Sequence, residues 1–587
     1  MNDEKILELV NQFWSEAESI VAQYQQQWAI NERLTNAKHI TPRKPGRSAI
    51  FVPKIPSYVQ RKIADFVGQF VGETPVTFKP TMTSDIVGAK IYQVVHNEFL
   101  DDIGYDSLIY NAAYCALVYN FAPAYIDFTE ITDEKRFDAD GEEVVVHEVR
   151  QLIVNVELLP PEDVFIDTSV SWDDIDSARY IGFRKWISQN EYEEYVETAG
   201  WKKVDDVAEY TSTLPRSSMI DAERVQNAVS PFSGIAQFGN NSLIEIRYHL
   251  TFIEVDGEYK PYKIITLADR EVLYKEEIDV DYSVRNGRFA WPFVIGVCTP
   301  KPFHLYAPAL PELARDLQIE INAIRNQRRD NVALILNPEK LVTPAAGVEP
   351  ESLTTSFPGK VIPVRTLGSI QWQVPPDVTA SGHNEESRAE QDMDRLFGEG
   401  NWRFGQPMRR KESATAIQLM NQNASALVGL NTFVFARSFV IPLNEKLSQL
   451  IRQRAPDEVF LAAAHFLGID EDPDIILDAV SSGKFKINVF AGSQQQEFAT
   501  VFSNVSNMIG LIQTLYGPNA NYRPLIEKAI EALGFDPDQI IPHVDQRMPN
   551  VAAQDLGGVE PQGQPTIVPR AAFLGGSAMP ENSGKQG

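Results

Sequence analysis

The sequence predicts a mixed α+β protein, mainly helical, arranged as several domains or one elongated body. Three observations carry this. Apolar residues recur at helical spacing near the N-terminus and again after residue 300. Strand-like runs punctuated by Asp-Gly pairs dominate from about 115 to 290. The chain has 587 residues, more than one ordinary core holds. A hydrophobic share of 43% with 23% charged residues is the mix of a folded soluble protein.

In chain order, residues 5–28 carry Ile6, Leu9, Val10, Phe13 and Ile20 at helical spacing, and 60–72 and 85–112 also read as helices. Strands follow at 143–156, after Asp140-Gly141, and at 244–255 and 260–274, on either side of Asp256-Gly257. An Asp-Gly pair between alternating runs marks a hairpin, because both turn residues need positive φ. Residues 308–336 form a long helix with Leu310, Leu313, Leu317, Ile321 and Ile324 on one stripe. Pro311 suits its first turn and Asn337-Pro338 ends it. Residues 338–376 hold seven prolines and the short runs KLVTP, KVIPV and IQWQV, which make a compact, turn-rich insert. A polar helix, capped by Asp377, covers 377–397. Residues 398–411 form a Gly/Pro-punctuated loop. A long helix begins at Glu412 and is kinked by Pro442. One β run (485–490) precedes helices at 494–516 and 522–533. From about 549 the chain is rich in Gly, Pro, Gln and Ala and reads as disordered.

Charge and motifs exclude several functions. Lys plus Arg is 53 against 80 Asp plus Glu, a net charge of −27. Proteins that grip duplex DNA neutralise phosphates with Lys and Arg, so this chain does not wrap DNA, although DNA could pass it without sticking. No run approaches the roughly 18 apolar residues of a membrane span, and Met1-Asn2-Asp3-Glu4 lacks the start of a secretory signal. Cys115 and Cys298 sit in apolar runs, as buried free thiols of a reducing compartment do. No GxxxxGK[ST] occurs: Phe357-Pro358-Gly359-Lys360 lacks the upstream glycine, which argues against a P-loop packaging ATPase. There is neither HExxH nor a GxSxG elbow, so no catalytic residue, metal or cofactor is expected. The acidic clusters 173–176 and 470–474 suit solvated turns or helix N-termini better than metal sites.

Two basic clusters run against the global charge. Trp402, Arg403, Phe404, Arg409, Arg410 and Lys411 lie on the glycine-containing loop. They suit either contact with a phosphate backbone or pairing with nearby carboxylates. Arg325, Arg328 and Arg329, at i, i+3 and i+4, suit salt bridges to a neighbouring helix or subunit. Residues 377–397 hold few apolar positions (Val378, Ala389, Met393, Leu396, Phe397) beside Glu385, Glu386, Glu390, Asp392 and Asp394. Such a helix cannot be fully buried in a monomer core. It fits a wall between subunits and a water-filled channel.

Several fragments stand in order along the chain: Ile50-Phe51-Val52-Pro53-Lys54, Gly72-Glu73-Thr74-Pro75-Val76, residues 158–167 (LLPPEDVFID), Trp291-Pro292-Phe293-Val294, Leu317-Gln318-Ile319-Glu320-Ile321-Asn322, residues 357–362 (FPGKVI) and Glu412-Ser413-Ala414-Thr415-Ala416. In that order they resemble the portal proteins of tailed phages, especially the large portals of short-tailed phages. The resemblance spans most of residues 40–510. It implies a portal fold with wing, stem, clip and crown that forms a ring with a central channel. On that pattern, 1–300 holds the N-terminal helices and a β-rich wing. The first stem helix falls in 301–337, the clip in 338–376, the second stem helix in 377–397 and a tunnel loop in 398–411. A kinked wing helix with a β segment occupies 412–493, the crown 494–545 and a disordered tail 546–587.

The resemblance further implies a non-enzymatic conduit for packaging and ejecting double-stranded viral DNA. Its expected partners are eleven further copies in a ring of twelve, terminase, tail or adaptor proteins, and the major capsid and scaffolding proteins. Its expected place is one capsid vertex of the virion, after assembly in the host cytoplasm. Trp402, Arg403, Arg409, Arg410 and Lys411 are the expected DNA-facing loop residues. Glu385, Glu386, Glu390, Asp392 and Asp394 are the expected acidic channel lining. Leu313, Leu317, Ile321 and Ile324 are the expected subunit interface. A head–tail adaptor ring or another structural virion protein is the alternative, though adaptors are usually much shorter and lack the stem–clip–stem order. A packaging enzyme is disfavoured by the missing phosphate loop.

Overall fold

A computed structural model describes residues 2–398 and 429–488, except 42–44, 73, 83–84, 140–141, 205–206, 208–210, 213–242, 284–286, 355–360, 367, 470 and 484. Side chains at 134–148 are likewise not described. The expected tunnel-loop residues Trp402, Arg403, Arg409, Arg410 and Lys411, the expected helix start at Glu412, and the segments expected as crown and tail all fall outside these residues.

Helix α1 runs from Asp3 to Thr35, with Asn2 accepting from the Asp3 amide at its start. It extends seven residues past the expected end at 28, because Trp28, Ala29 and Leu34 continue its buried stripe. Helix α2 is Lys54–Phe70. The expected helix over 85–112 is two, α3 (Ile86–Asp102) and α4 (Tyr105–Val118), divided at Gly104, whose φ of 66° breaks the helical ladder.

Strands then dominate. β2 (Ala122–Ala139) and β3 (Glu142–Leu158) form a long antiparallel ribbon, joined at its base by β10 (Phe293–Gly296). A six-stranded sheet contains β4 (Val164–Ile166), β5 (Tyr180–Ile187), β7 (Leu243–Val255), β8 (Glu258–Leu267) and β9 (Glu271–Glu277), in that order, with β6 (Thr211–Ser212) paired to β7. Asp256 and Gly257 have φ of 53° and 85°, the positive pair expected of a tight hairpin. The single run expected over 260–274 is split, because Ala268 adopts φ 47° and turns the chain from β8 into β9. Within this β region lies a helix the periodicity did not announce, α5 (Gln189–Thr198). Its start is fixed by a capping box between Ser188 and Glu191.

Helix α1 joins the helical and β regions: Trp14 packs on Phe165 with ring centroids 4.3 Å apart, while Ile6 and Val10 cluster with Ile253 and Ile264. The long helix α6 (Leu310–Leu336) has Pro311 in its first turn and ends at Asn337, as the sequence requires. At about 1.5 Å per residue its 27 residues span about 40 Å. The insert contains one two-stranded ribbon, β11 (Glu339–Val342) with β12 (Ile370–Gln373). Of the three runs anticipated there, KLVTP and IQWQV supply these strands, whereas residues 361–364 form no strand.

Helix α7 (Thr379–Phe397) follows. Asp377 accepts from the Thr379 amide at 2.9 Å but stands one residue before the cap position, Val378. The helix leading to Pro442 is not simply bent. A π-helical turn, Ala436–Val440, immediately precedes α8 (Ile441–Arg454), which carries Pro442 in its first turn. The widened turn accommodates a proline ring that would otherwise meet the carbonyl four residues back. Helices α9 (Asp457–Phe466) and α10 (Pro473–Ser482) precede β13 (Phe485–Asn488), which pairs with β1 (Thr77–Pro80).

Among the described residues no helix is long and apolar enough to cross a membrane, and no group of three or more His, Cys, Asp or Glu side chains could hold a metal ion. Cys298 is buried and Cys115 half-buried, both as free thiols.

Candidate functional site

The segment 310–397 is a helical hairpin closed by the β11–β12 ribbon. Contacts along it fix the sense of packing. Asn331 on α6 donates to the Pro376 carbonyl, Arg328 Nη1 meets His383 Nδ1 at 3.0 Å, and Arg328 Nη2 lies 2.5 Å from Glu386. Residue numbers fall on one helix as they rise on the other, so α6 and α7 are antiparallel. Since arginine can only donate, His383 Nδ1 is the acceptor.

One side of α6 is bonded to an extended segment from the other end of the chain. Gln318, Asn322, Asn326 and Asp330 stand four residues apart. The amide of Ser48 donates to Asp330 at 2.8 Å, that of Ile50 to Asn326 at 2.7 Å, that of Val52 to Asn322 at 2.8 Å and that of Ile55 to Gln318 at 3.1 Å. In return, Gln318 donates to the Val52 carbonyl at 2.7 Å and Asn326 to the Ile50 carbonyl at 2.9 Å. The match is metric. Two extended residues advance about 6.8 Å and four helical residues about 6.0 Å, so the amides of Ser48, Ile50 and Val52 meet successive turns, and Ile55, in the first turn of α2, meets the next. Six such bonds, at about 0.5–1.5 kcal/mol net each, contribute roughly 3–9 kcal/mol. The Ser48 hydrogen bond, aided by Arg47, holds the Asp330 carboxyl below its usual range. The fragments at 50–54 and 317–322, noted separately in the sequence, are therefore the two halves of one contact.

The acidic residues of α7 divide between two sides of the helix. Glu386 is 6% exposed and receives both Arg328 and, at 3.6 Å, Arg325. Glu390 pairs with Lys54 at 3.0 Å. Asp394 accepts from the Tyr58 hydroxyl, and burial raises its pKa despite that bond and the nearby Lys54. These three lie at i, i+4 and i+8, so they share the side that carries Ala389, Met393 and Phe397 into the core. Phe397 stacks on Tyr58, with centroids 4.4 Å apart at 12°. Glu385 and Asp392 face outward, each bonded to an arginine one turn on, Arg388 at 2.9 Å and Arg395 at 2.8 Å.

The five carboxylates expected as a channel lining therefore have unequal surroundings. Glu386, Glu390 and Asp394 are held against the body of the chain by Arg325, Arg328, Lys54 and Tyr58. The outward side sets two acids against two arginines. The same contacts resolve the arginine cluster of α6: Arg325 and Arg328 bridge to the neighbouring helix of their own chain.

The four residues of the apolar stripe also differ in exposure. Ile321 is fully buried in the chain's own core, Leu317 and Ile324 are half-buried, and Leu313 alone of the four is exposed, at 49%. Ile321 shares the inward side of α6 with Gln318 and Asn322, both buried. The outward apolar groups on that helix are Leu313, Ile319, Val332, Leu334 and Leu336. Twelve of the 25 large apolar side chains exposed among the described residues lie within 310–397, including Leu341, Trp372 and Val374 at the β11–β12 end.

The model of a family described as the Phage SU10 portal protein matches residues 127–555, well over half of the chain. The chain belongs to that phage portal family. The match opens inside the β2–β3 ribbon and takes in the whole 310–397 hairpin, leaving α1 to α4 and the segment 48–55 outside it. No curated protein matches the chain. Portal proteins are a structural family rather than an enzymatic one.

Sequence reasoning missed Lys54, Tyr58 and the Gln318–Asp330 ladder. The ladder had a legible signal, since amides and Asp are indifferent helix formers and four at strict i+4 spacing need a partner. The buried Lys446 was also missed. It pairs with Asp176 at 2.6 Å and donates to the Phe293 carbonyl at 2.8 Å. That contact, with Asp472 starting α10, gives both acidic clusters roles at turns and helix ends.

Proposed function

We propose that this portal-family chain is the repeating subunit of a closed ring that conducts double-stranded viral DNA during packaging and ejection. In this reading α6 and α7 are the stem, 338–376 the clip, 398–411 the tunnel loop, 494–545 the crown, and the sheets with α1 to α5 the wing. Twelve copies close the ring at one capsid vertex. Terminase and later tail or adaptor proteins dock at the clip, the capsid and scaffolding proteins contact the outside, and assembly occurs in the host cytoplasm. The observation that carries the reading is the uneven exposure of apolar side chains: about half of those exposed are crowded on one hairpin. Exposed apolar surface concentrated on one element suits contact with other protein, and self-association in a ring covers it without leaving an open edge.

Leu313, Ile319, Val332, Leu334 and Leu336 are the α6 residues best placed for subunit contact. Of the acidic set, Glu385 and Asp392, each beside an arginine, are the two left for a channel-facing surface. Arg403, Arg409, Arg410 and Lys411, with Trp402, are proposed to touch the DNA backbone briefly from the loop. A mixed-charge wall with a few cations suits passage, because tight binding grows with the number of phosphates neutralised.

The test is negative-stain microscopy of the purified chain. Rings with a central hole are expected, and Leu336→Glu should reduce the ring fraction. A monodisperse monomer at micromolar concentration, without rings even when assembly is promoted, would overturn the reading.

A further inference from the structure

A cavity of about 490 Å³ opens between the base of the β2–β3 ribbon, strands β7 to β9, the end of α5 and residues 278–282. No residue of the 310–397 hairpin lines it. Its size is that of a pocket for a small ligand or a single large side chain.

The inner wall is unusual in its hydroxyl groups. Tyr125 and Tyr282 are 2% exposed and Tyr248 8%, yet all three line the cavity. Among the described residues, none of their hydroxyls has a hydrogen-bond partner. Burial raises the pKa of each, so all three are protonated at neutral pH and can both donate and accept. Hydroxyls that open on a cavity without protein partners favour a polar guest.

The rim sets the sign of that guest. Asp127, Glu130, Glu276, Glu277 and Asp279 line the cavity with a single cation, Lys263. Lys263 lies 3.1 Å from Glu276 and 3.8 Å from Asp127. From outside the lining, Arg454 pairs with Glu130 and Asp279, and Lys260 pairs with Glu277 at 3.0 Å. Three cations thus meet five carboxylates, and the rim stays two charges negative, which disfavours an anion. The aromatic wall acts in the same direction. Tyr195 and Trp201 stack with centroids 4.6 Å apart, and the Tyr248 ring already holds the Lys185 ammonium 4.9 Å from its centroid.

We propose that this cavity binds a guanidinium group, the side chain of an arginine presented by a docking protein segment. A planar cation with five N–H donors can lie on an aromatic ring while bonding a carboxylate and a tyrosine hydroxyl at once. A compact, strongly hydrated ammonium cannot do so equally well.

The test uses the full chain and N-acetyl-arginine amide as probe, titrated by calorimetry or ligand-observed NMR, with the neutral citrulline counterpart as control. Saturable binding of the arginine compound is expected, with the citrulline compound at least about tenfold weaker. Tyr282→Phe and Asp127→Asn preserve side-chain shape and should each weaken binding severalfold. Absence of saturable binding up to about 50 mM probe would overturn the proposal. So would equal affinity for the citrulline compound, or wild-type affinity in both variants.

Discussion

Replacing Glu386 by Ala tests whether the hairpin is held as an ion-paired unit. The carboxylate is 6% exposed, and the side chain of Arg328, 2.5 Å away, is 15% exposed. Removing it leaves a guanidinium in a nearly dry site with His383 Nδ1 as its remaining partner. Breaking a buried pair from one side costs about 3–5 kcal/mol. The second arginine adds little, because Arg325 is 46% exposed and 3.6 Å away, and such pairs contribute about 0–1 kcal/mol. Arg328 keeps one bond and some access to water, so the lower end applies, about 3 kcal/mol. That corresponds to a local opening constant raised about 150-fold. Amide exchange of peptides covering 379–397 reads it directly, and protection there should fall by about that factor. Changing Arg328 to Met in the same background removes the stranded charge and should restore about 2 kcal/mol. Unchanged exchange in the single variant, or a double variant no better protected than the single, would refute the reasoning.

Three further outcomes follow from the geometry. Asn322→Ala orphans the Val52 amide and should cost about 1–3 kcal/mol in denaturant unfolding, with Asn322→Asp, which keeps an acceptor oxygen, costing less. Burial lowers His96 to about 4 and His249 to about 3 from 6.5. Below pH 6.5 the unfolded chain therefore takes up protons that the native state refuses. Stability is complete above 6.5 and declines as pH falls toward the folded values, by roughly 2 kcal/mol per histidine at pH 5, measurable as a falling denaturation midpoint between pH 7.5 and 5. Replacing Arg403, Arg409, Arg410 and Lys411 together by Ala should leave ring assembly nearly unchanged while altering DNA packaging or retention. Wild-type packaging and retention would remove the loop from the channel.

Features marked by local chemistry were the ones legible in the sequence. Pro311 and Asn337-Pro338 bracket α6 because proline acts on its own turn, and Asp256-Gly257 makes its hairpin because positive φ is a property of those two residues. The break at Gly104 was hidden because apolar spacing continues across it. The turn at Ala268 was hidden because alanine is not a turn former and its positive φ is imposed by the β8–β9 pairing. The partners of the acidic residues were hidden for a related reason. Spacing places Glu386, Glu390 and Asp394 on one face of a helix, but it does not say what stands opposite. The answers, Arg328, Lys54 and Tyr58, lie between 58 and 336 residues away in the chain. A carboxylate looks alike in a sequence whether it lines water or balances an arginine.

The bonds between α6 and residues 48–55 span separations of 263 to 282 residues. During synthesis this early segment leaves the ribosome long before its partner helix exists. At about 5–20 residues per second the wait is roughly 15–50 s. For that interval the amides of Ser48, Ile50, Val52 and Ile55 can bond only to water or to the wrong chain, and Ile50-Phe51-Val52 is an apolar β-prone stretch. Pro45, Pro53 and Pro56 occupy positions whose missing N–H the finished contact does not require, and Arg43, Lys44 and Arg47 add charge beside them. Proline and like charge both oppose strand-to-strand association. The nascent segment thus carries its own protection against aggregation, and its prolines leave the later pairing with α6 untouched.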